Sequence, residues 1–171
     1  LEPFVHLEKH KPQGTENLYG LIHAIKNKLQ IKFSYQKFWE DKITERLVEP
    51  YVLREFKNRW YVLAREAKKD GQIKTFALDR LTNLEFSNQK FKFPKDFDPE
   101  ELFKYCFGII TPAEGKPEEI ILSFSPMQGK YVKTLPLHES QQVIKDTKDE
   151  LQIKLLLYIT YDLITELMTL G

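Results

Sequence analysis

Arg59-Trp60-Tyr61-Val62-Leu63 and, further along, Phe76-Ala77-Leu78-Asp79-Arg80-Leu81 decide the reading of this chain. Both runs are apolar enough for strands of a small buried sheet, yet both carry arginines that a purely structural strand has little reason to hold. Scaffold and site are therefore expected to share strands. In the first run Trp60, Val62 and Ala64 fall on one face, and Arg59, Tyr61, Leu63 and Arg65 on the other. With the first set as core, the second presents an aromatic ring between two arginines. Such a surface suits nucleotides or single-stranded nucleic acid, because the guanidinium meets phosphate while the ring stacks on a base. The alternative is that Tyr61 and Leu63 are buried as well, with the arginines paired to Glu49, Glu55 or Glu66.

Working outward, Leu18, Leu21, Ile22, Ile25 and Leu29 repeat at helical spacing after Thr15 or Asn17 as cap. Ile31, Phe33 and Tyr35 then alternate with Lys32, Ser34 and Gln36, the period-two signature of a half-buried strand. Further strands are expected at residues 44–56, 59–67, 73–78 and 81–91. Lys57-Asn58 forms a tight hairpin between the second and third, and Lys68-Lys69-Asp70-Gly71 a turn between the third and fourth. A helix followed by five short antiparallel strands is expected to close into a small barrel, since closure removes exposed edges.

Tyr35 at the end of the first strand, Arg46-Leu47-Val48-Glu49-Pro50 in the second, Trp60-Tyr61-Val62 in the third, and Thr75-Phe76 with Leu78-Asp79-Arg80-Leu81 in the fourth resemble, in order and spacing, the WYL domain. That module is named for its Trp-Tyr-Leu run and is found mostly in bacterial transcriptional regulators. The resemblance covers roughly residues 18–93. Val62 stands where the name-giving leucine would be, Asn58 where a turn glycine is usual, and Lys74 where an arginine commonly precedes the Thr-Phe pair. The resemblance implies an Sm-like or SH3-like barrel, a ligand surface that includes Arg80, and an upstream helix-turn-helix DNA-binding domain. It also implies that the segment after Pro117 is the C-terminal extension that often follows this domain.

Residues 1–16, with two prolines, a glycine and mixed charges, read as a linker from an upstream region, and the start at Leu1 without methionine suggests a fragment. The barrel domain is assigned to 17–93. Residues 94–117, holding Pro94, Pro99, Pro112 and Pro117, read as a connecting segment with a helical turn at 100–105. The remainder, 118–171, is expected to run strand 119–124, helix 126–133, strand 141–145, strand 151–160 and helix 161–170. This is an incomplete ferredoxin-like βαββα unit, lacking its last strand, with Gly171 placed like a helix C-cap. Such a sheet has one unpaired edge, from which self-association through this segment, as a homodimer, is expected. The fold class is thus α+β.

The chain's 171 residues, 42% hydrophobic, suffice for one ordinary domain or two small ones. Its net charge of +1 conceals an asymmetry: residues 30–93 carry fourteen Lys and Arg against nine Asp and Glu, whereas residues 94–171 carry eight against thirteen. All five arginines (Arg46, Arg54, Arg59, Arg65, Arg80) lie in the basic segment, and arginine grips phosphate or carboxylate in a bidentate way. Arg80 is the leading site candidate, with a structural ion pair to a glutamate such as Glu49 as its alternative. Arg54 and Arg46 rank next, then Arg59, Arg65 and Tyr61, with Tyr35 as a stacking or hydroxyl partner.

Catalytic patterns are scarce. His6, His10, His23 and His138 show no ligand spacing, and no Gly-rich phosphate loop, nucleophile elbow or Cys-His pairing is present. No enzymatic activity, metal or cofactor is therefore expected. The single Cys106 excludes an internal disulfide and fits a reducing cytoplasm. The longest apolar stretch, Leu155-Leu156-Leu157-Tyr158-Ile159, is strand-sized rather than membrane-spanning, and no signal peptide is visible. The expected function is a cytoplasmic ligand-sensing and oligomerising part of a transcriptional regulator. Its effector would be a nucleotide or single-stranded nucleic acid, with promoter DNA as partner through the upstream domain. The alternative is a protein-interaction module without a small ligand.

Overall fold

A computed structural model describes residues 12–67 and 73–170. Most of the expected 1–16 linker, the turn at 68–71 and Gly171 lie outside the described residues. Two compact units meet between Lys95 and Asp96.

In the first unit, helix α1 (Leu18–Asn27) buries Leu21 and Ala24. It stops at Lys28, whose left-handed backbone (φ 54°) lets its N–H reach the carbonyls of Ala24 and Ile25. Asn17 precedes the helix, but its side chain makes no cap bond and its Nδ2 reaches the Leu81 carbonyl at 3.4 Å. Five antiparallel strands follow: β1 (Leu29–Gln36), β2 (Ile43–Phe56), β3 (Arg59–Glu66), β4 (Ile73–Ala77) and β5 (Leu81–Lys90), in the order β4-β3-β2-β1-β5. Lys57 and Asn58, both at positive φ (49° and 60°), turn β2 into β3, and the Asn58 N–H is held by the Glu55 carboxylate at 2.6 Å.

The strand alternation holds across an irregularity. Val48 and Pro50 face the core, and so does Leu53, which lies opposite Val62. Leu53 lies five positions beyond Val48, an odd offset that would normally reverse the face. The register shift between Pro50 and Val52 supplies the extra residue, at a proline that has no N–H to lose from the ladder. The core comprises Ile31, Phe33, Val48, Val62, Ala64, Phe76 and Leu78 under Leu21 and Ala24, with Trp60 packed at its margin. Phe33, Tyr35 and Phe76 meet edge to face, with ring centroids 5.1–6.2 Å apart.

Two expectations require correction. The sheet is not a closed barrel: β4 and β5 form no ladder with each other and remain its two edges. The expected fourth strand also ends at Ala77, because residues Leu78–Arg80 form a 3-10 turn between those edges. This turn is pinned from β1, the Tyr35 hydroxyl accepting the Ala77 N–H at 3.3 Å. Arg80 therefore stands on a corner, where the two-residue alternation of a strand no longer assigns its side chain to a face.

In the second unit, α2 (Pro99–Phe103) is capped by Asp98, which accepts the N–H groups of Glu100 and Glu101. The order then runs β6 (Glu118–Phe124), α3 (Pro126–Thr134), β7 (Gln142–Asp146), β8 (Leu151–Leu157) and α4 (Tyr161–Thr169), with sheet order β6-β8-β7. Ser125 and Thr160 cap α3 and α4. Leu151, Ile153, Leu155 and Leu157 are all buried on one face of β8. Residues 96–117 belong to this unit: Phe103, Cys106 and Phe107 are buried, and the Tyr158 N–H bonds the Tyr105 carbonyl at 2.8 Å. Gly108 (φ 88°) passes so near Asp162 that a Cβ there would lie 2.4 Å from its Oδ2, the same oxygen that accepts the Ile109 and Ile110 N–H groups.

Candidate functional site

Register decides what each arginine of the first unit can do. Glu49 on β2 lies directly opposite Arg65 on β3, and Arg65 donates to Glu49 Oε2 from Nη2 at 2.6 Å and from Nε at 3.1 Å. The Tyr51 hydroxyl donates to the same oxygen at 2.9 Å, and Gln30 Nε2 lies 3.5 Å from Oε1. Burial, then the bond to Glu49, pushes the Tyr51 phenol well above its ordinary range, while the bond to Glu49 raises Arg65. On the opposite face of the sheet Glu66 accepts Arg46 Nη1 at 2.6 Å and Lys74 Nζ at 3.3 Å. Burial alone would raise the Glu66 carboxyl, but Lys74 and Arg46 outweigh it and hold the group below the usual range. Both glutamates are buried. Arg46 and Arg65 are thus each paired with a buried carboxylate and brace the strands, although the buried Arg46 Nε has no hydrogen-bond partner; the Arg65–Glu49 pair is one that the ion-pair alternative named.

Tyr61 is 8% exposed and Leu63 still less, so this ring is buried rather than displayed between arginines. Arg54 lies opposite Tyr61 on the same face, half-buried.

The arrangement around the 78–80 turn differs. Arg59 Nη1 lies 3.5 Å from Asp79 Oδ2, and Arg80 Nε lies 3.7 Å from Asp79 Oδ1. Neither contact is a hydrogen bond, and both Asp79 Oδ1 and Arg80 Nε are buried atoms lacking a hydrogen-bond partner. The Arg80 guanidinium stands 5.7 Å from the Tyr35 ring centroid and 5.8 Å from that of Phe38. Phe38 belongs to the connection between β1 and β2 and is 66% exposed; Trp39 beside it is 92% exposed, with its ring 5.4 Å from Phe38. Two arginines, one carboxylate and two displayed aromatic rings therefore converge on one corner of the sheet. Of the residues proposed from sequence, this corner gathers Arg59, Arg80 and Tyr35, whereas Arg46 and Arg65 stand in the ion pairs above. Sequence reading passed over Phe38 and Trp39. Their signal was present as two adjacent large aromatics inside a polar hairpin connection, where burial cannot explain them.

Among the described residues no group of three His, Cys, Asp or Glu side chains is placed to hold a metal ion, and no helix is long and apolar enough to cross a membrane. A cavity of about 300 Å³ in the second unit is bordered by Lys130, Lys133 and Lys148, but Asp146 engages Lys133 at 2.8 Å.

A helix packed on a five-stranded antiparallel sheet, with a cationic and aromatic corner on its edge turn, defines a small α+β domain. Residues 16–86 match the family model of the WYL domain. Among solved structures the chain is similar to proteasome accessory factor B/C (PafBC) of Arthrobacter aurescens. The identity is 18% with a TM-score of 0.47, covering 87% of this chain and 22% of that one. The chain thus spans about a fifth of the length of that protein. No curated protein matches.

Proposed function

We propose that the first unit is the sensor of a transcriptional regulator and binds a phosphate-bearing effector, a nucleotide or single-stranded nucleic acid, at the corner formed by Arg80, Arg59, Phe38 and Trp39. The observation that carries this reading is the Arg80 guanidinium, flanked by the Tyr35 and Phe38 rings with its buried Nε unpartnered. A phosphate oxygen would satisfy that donor, and the exposed Trp39 offers a face to a base. The WYL match supports the regulatory context. In that context an upstream reader would contact promoter DNA, and the effector would act by preferring one arrangement of two cytoplasmic subunits over another. No catalytic step is assigned.

Isothermal titration with oligonucleotides and nucleotides tests the reading. Arg80→Ala is expected to weaken binding by about 1.5 to 3 kcal/mol with a nearly unchanged melting temperature. Arg80→Lys keeps the charge, loses the planar fork, and should recover only part of the loss. Binding should also fall as salt rises. Absence of any binding to the wild-type chain would defeat the proposal.

A second reading, a protein-interaction module, draws on a different observation. Met127 and Tyr131 succeed one another along one face of α3, Leu135 follows at its C-cap, and all three are exposed. A concentration-independent dimer in light scattering that is lost in Tyr131→Glu would favour it.

A further inference from the structure

Asp79 is the unusual member of the corner. An anion-gripping site gains from arginines, and a carboxylate placed between two of them opposes the ligand. Nor does Asp79 brace the sheet in the manner of Glu49 and Glu66: its contacts to Arg59 and Arg80 are 3.5 and 3.7 Å, and its Oδ1 is a buried acceptor with no hydrogen-bond donor. The group is 21% exposed on its side chain, so it is neither fully solvated nor fully paired. Resting on the phosphate-binding reading above, we infer that Asp79 is a built-in competitor that sets which phosphate the corner accepts. It favours the singly charged phosphodiester of a nucleic-acid backbone over the doubly charged terminal phosphate of a free nucleotide.

The reasoning is electrostatic. Two guanidinium groups and one carboxylate leave the cluster with a single net positive charge. Attraction for a ligand grows linearly with the ligand's charge, whereas the cost of stripping water from that ligand grows with the square of the charge. A weaker positive potential therefore shifts the optimum toward one negative charge. A backbone phosphodiester carries one, and a phosphomonoester about 1.5 to 2 at neutral pH. A single backbone phosphate between Arg59 and Arg80 would neutralise the corner, while a terminal phosphate would leave it with excess negative charge beside Asp79. Phe38 and Trp39, adjacent in the chain and both displayed, are compatible with consecutive bases of a strand.

The test compares the shortest oligonucleotide, the thymidine dinucleotide with one phosphodiester and a 5′-hydroxyl, with thymidine 5′-monophosphate, titrated at pH 8 and low salt into the wild-type chain and into Asp79→Asn. Because the effect of removing the carboxylate scales with ligand charge, a gain of about threefold for the oligonucleotide corresponds to about tenfold for the monophosphate. The expected result is that the wild type prefers the oligonucleotide and that Asp79→Asn narrows this preference by tightening the monophosphate more. If the wild type does not bind the monophosphate at all, Asp79→Asn should bring its binding into range. Asp79→Ser repeats the comparison without an amide, and melting curves verify that both variants fold. Equal changes for both ligands, no change, or weaker binding of both would overturn the inference while leaving the phosphate-binding reading in place. A wild-type chain that binds neither ligand would instead defeat the phosphate-binding reading itself.

Discussion

Arg46 and Arg65 lie in the same sheet as Arg59, and only Arg80 stands outside the strands, yet these residues form two groups with opposite character. Arg46 and Arg65 each meet a buried glutamate at 2.6 Å. Arg59 and Arg80 face one aspartate at 3.5 and 3.7 Å, beside exposed aromatic rings. The difference shows that an arginine on a strand says little by itself. Whether its carboxylate is close, buried and hydrogen-bonded determines whether it braces the fold or, as proposed for Arg80, is left to meet a ligand.

The largest expected effect lies in the braced group. Glu66→Ala removes the acceptor shared by Arg46 and Lys74 and leaves a part-buried guanidinium uncompensated, so urea unfolding should show a loss of about 3 kcal/mol. Asp79→Ala should change the same midpoint by less than about 1 kcal/mol, and equal losses would erase the distinction between the groups. The two tryptophans sharpen it. Trp60, half-buried against the core, should cost about 2 to 3 kcal/mol of stability when replaced by alanine. Trp39→Ala should leave the midpoint unchanged and instead weaken oligonucleotide binding by about 1 to 3 kcal/mol. If Trp39→Ala destabilises the fold as Trp60→Ala does, the exposed rings are structural.

The smallest effect concerns acid. Glu66 is held below the ordinary glutamate range, so the stability that it contributes is present above an unfolded pKa of about 4.3 and is lost as the pH falls through the lower folded value. Glu66→Gln should flatten the acid limb of the stability curve below about pH 4.5. In the second unit, bonds from Lys145, Ser123 and Gln152 lower Glu150 to about 2, so its contribution should persist to lower pH.

Periodicity carried the elements because each buried position repeats on a single face: the alternation Ile31, Phe33, Tyr35 and the helical spacing of Leu18, Leu21 and Ile25 needed no tertiary information. Register was another matter. Glu49, Glu55 and Glu66 were all plausible partners for the arginines, and pairing distributes them differently: Glu49 to Arg65, Glu66 to Arg46, and Glu55 to the backbone of the Lys57-Asn58 turn. The corner at Leu78–Arg80 was hidden because an apolar run with one Asp-Arg pair looks like a continuing strand, and the Tyr35 hydroxyl that helps to end it comes from β1. Barrel closure was inferred from the general cost of open edges, a tendency that does not specify which strands must meet. Phe38 and Trp39 escaped because a reading centred on strands gives no weight to rings between them.

The sheet order has a consequence for the sequence of events in folding. The pairings of β1 with β2, β2 with β3 and β3 with β4 join neighbours along the chain, whereas β1 with β5 joins segments separated by all three intervening strands. Loop-closure entropy delays such a ladder, so β5 is expected to dock last and to detach first. The turn that carries Asp79 and Arg80 is the hinge through which β5 arrives, which makes the corner the last part of the unit to take shape. Amide hydrogen exchange should find β5 opening at a lower free energy than β2 and β3, and any ligand gripping Arg80 should slow that opening more than the global unfolding of the chain.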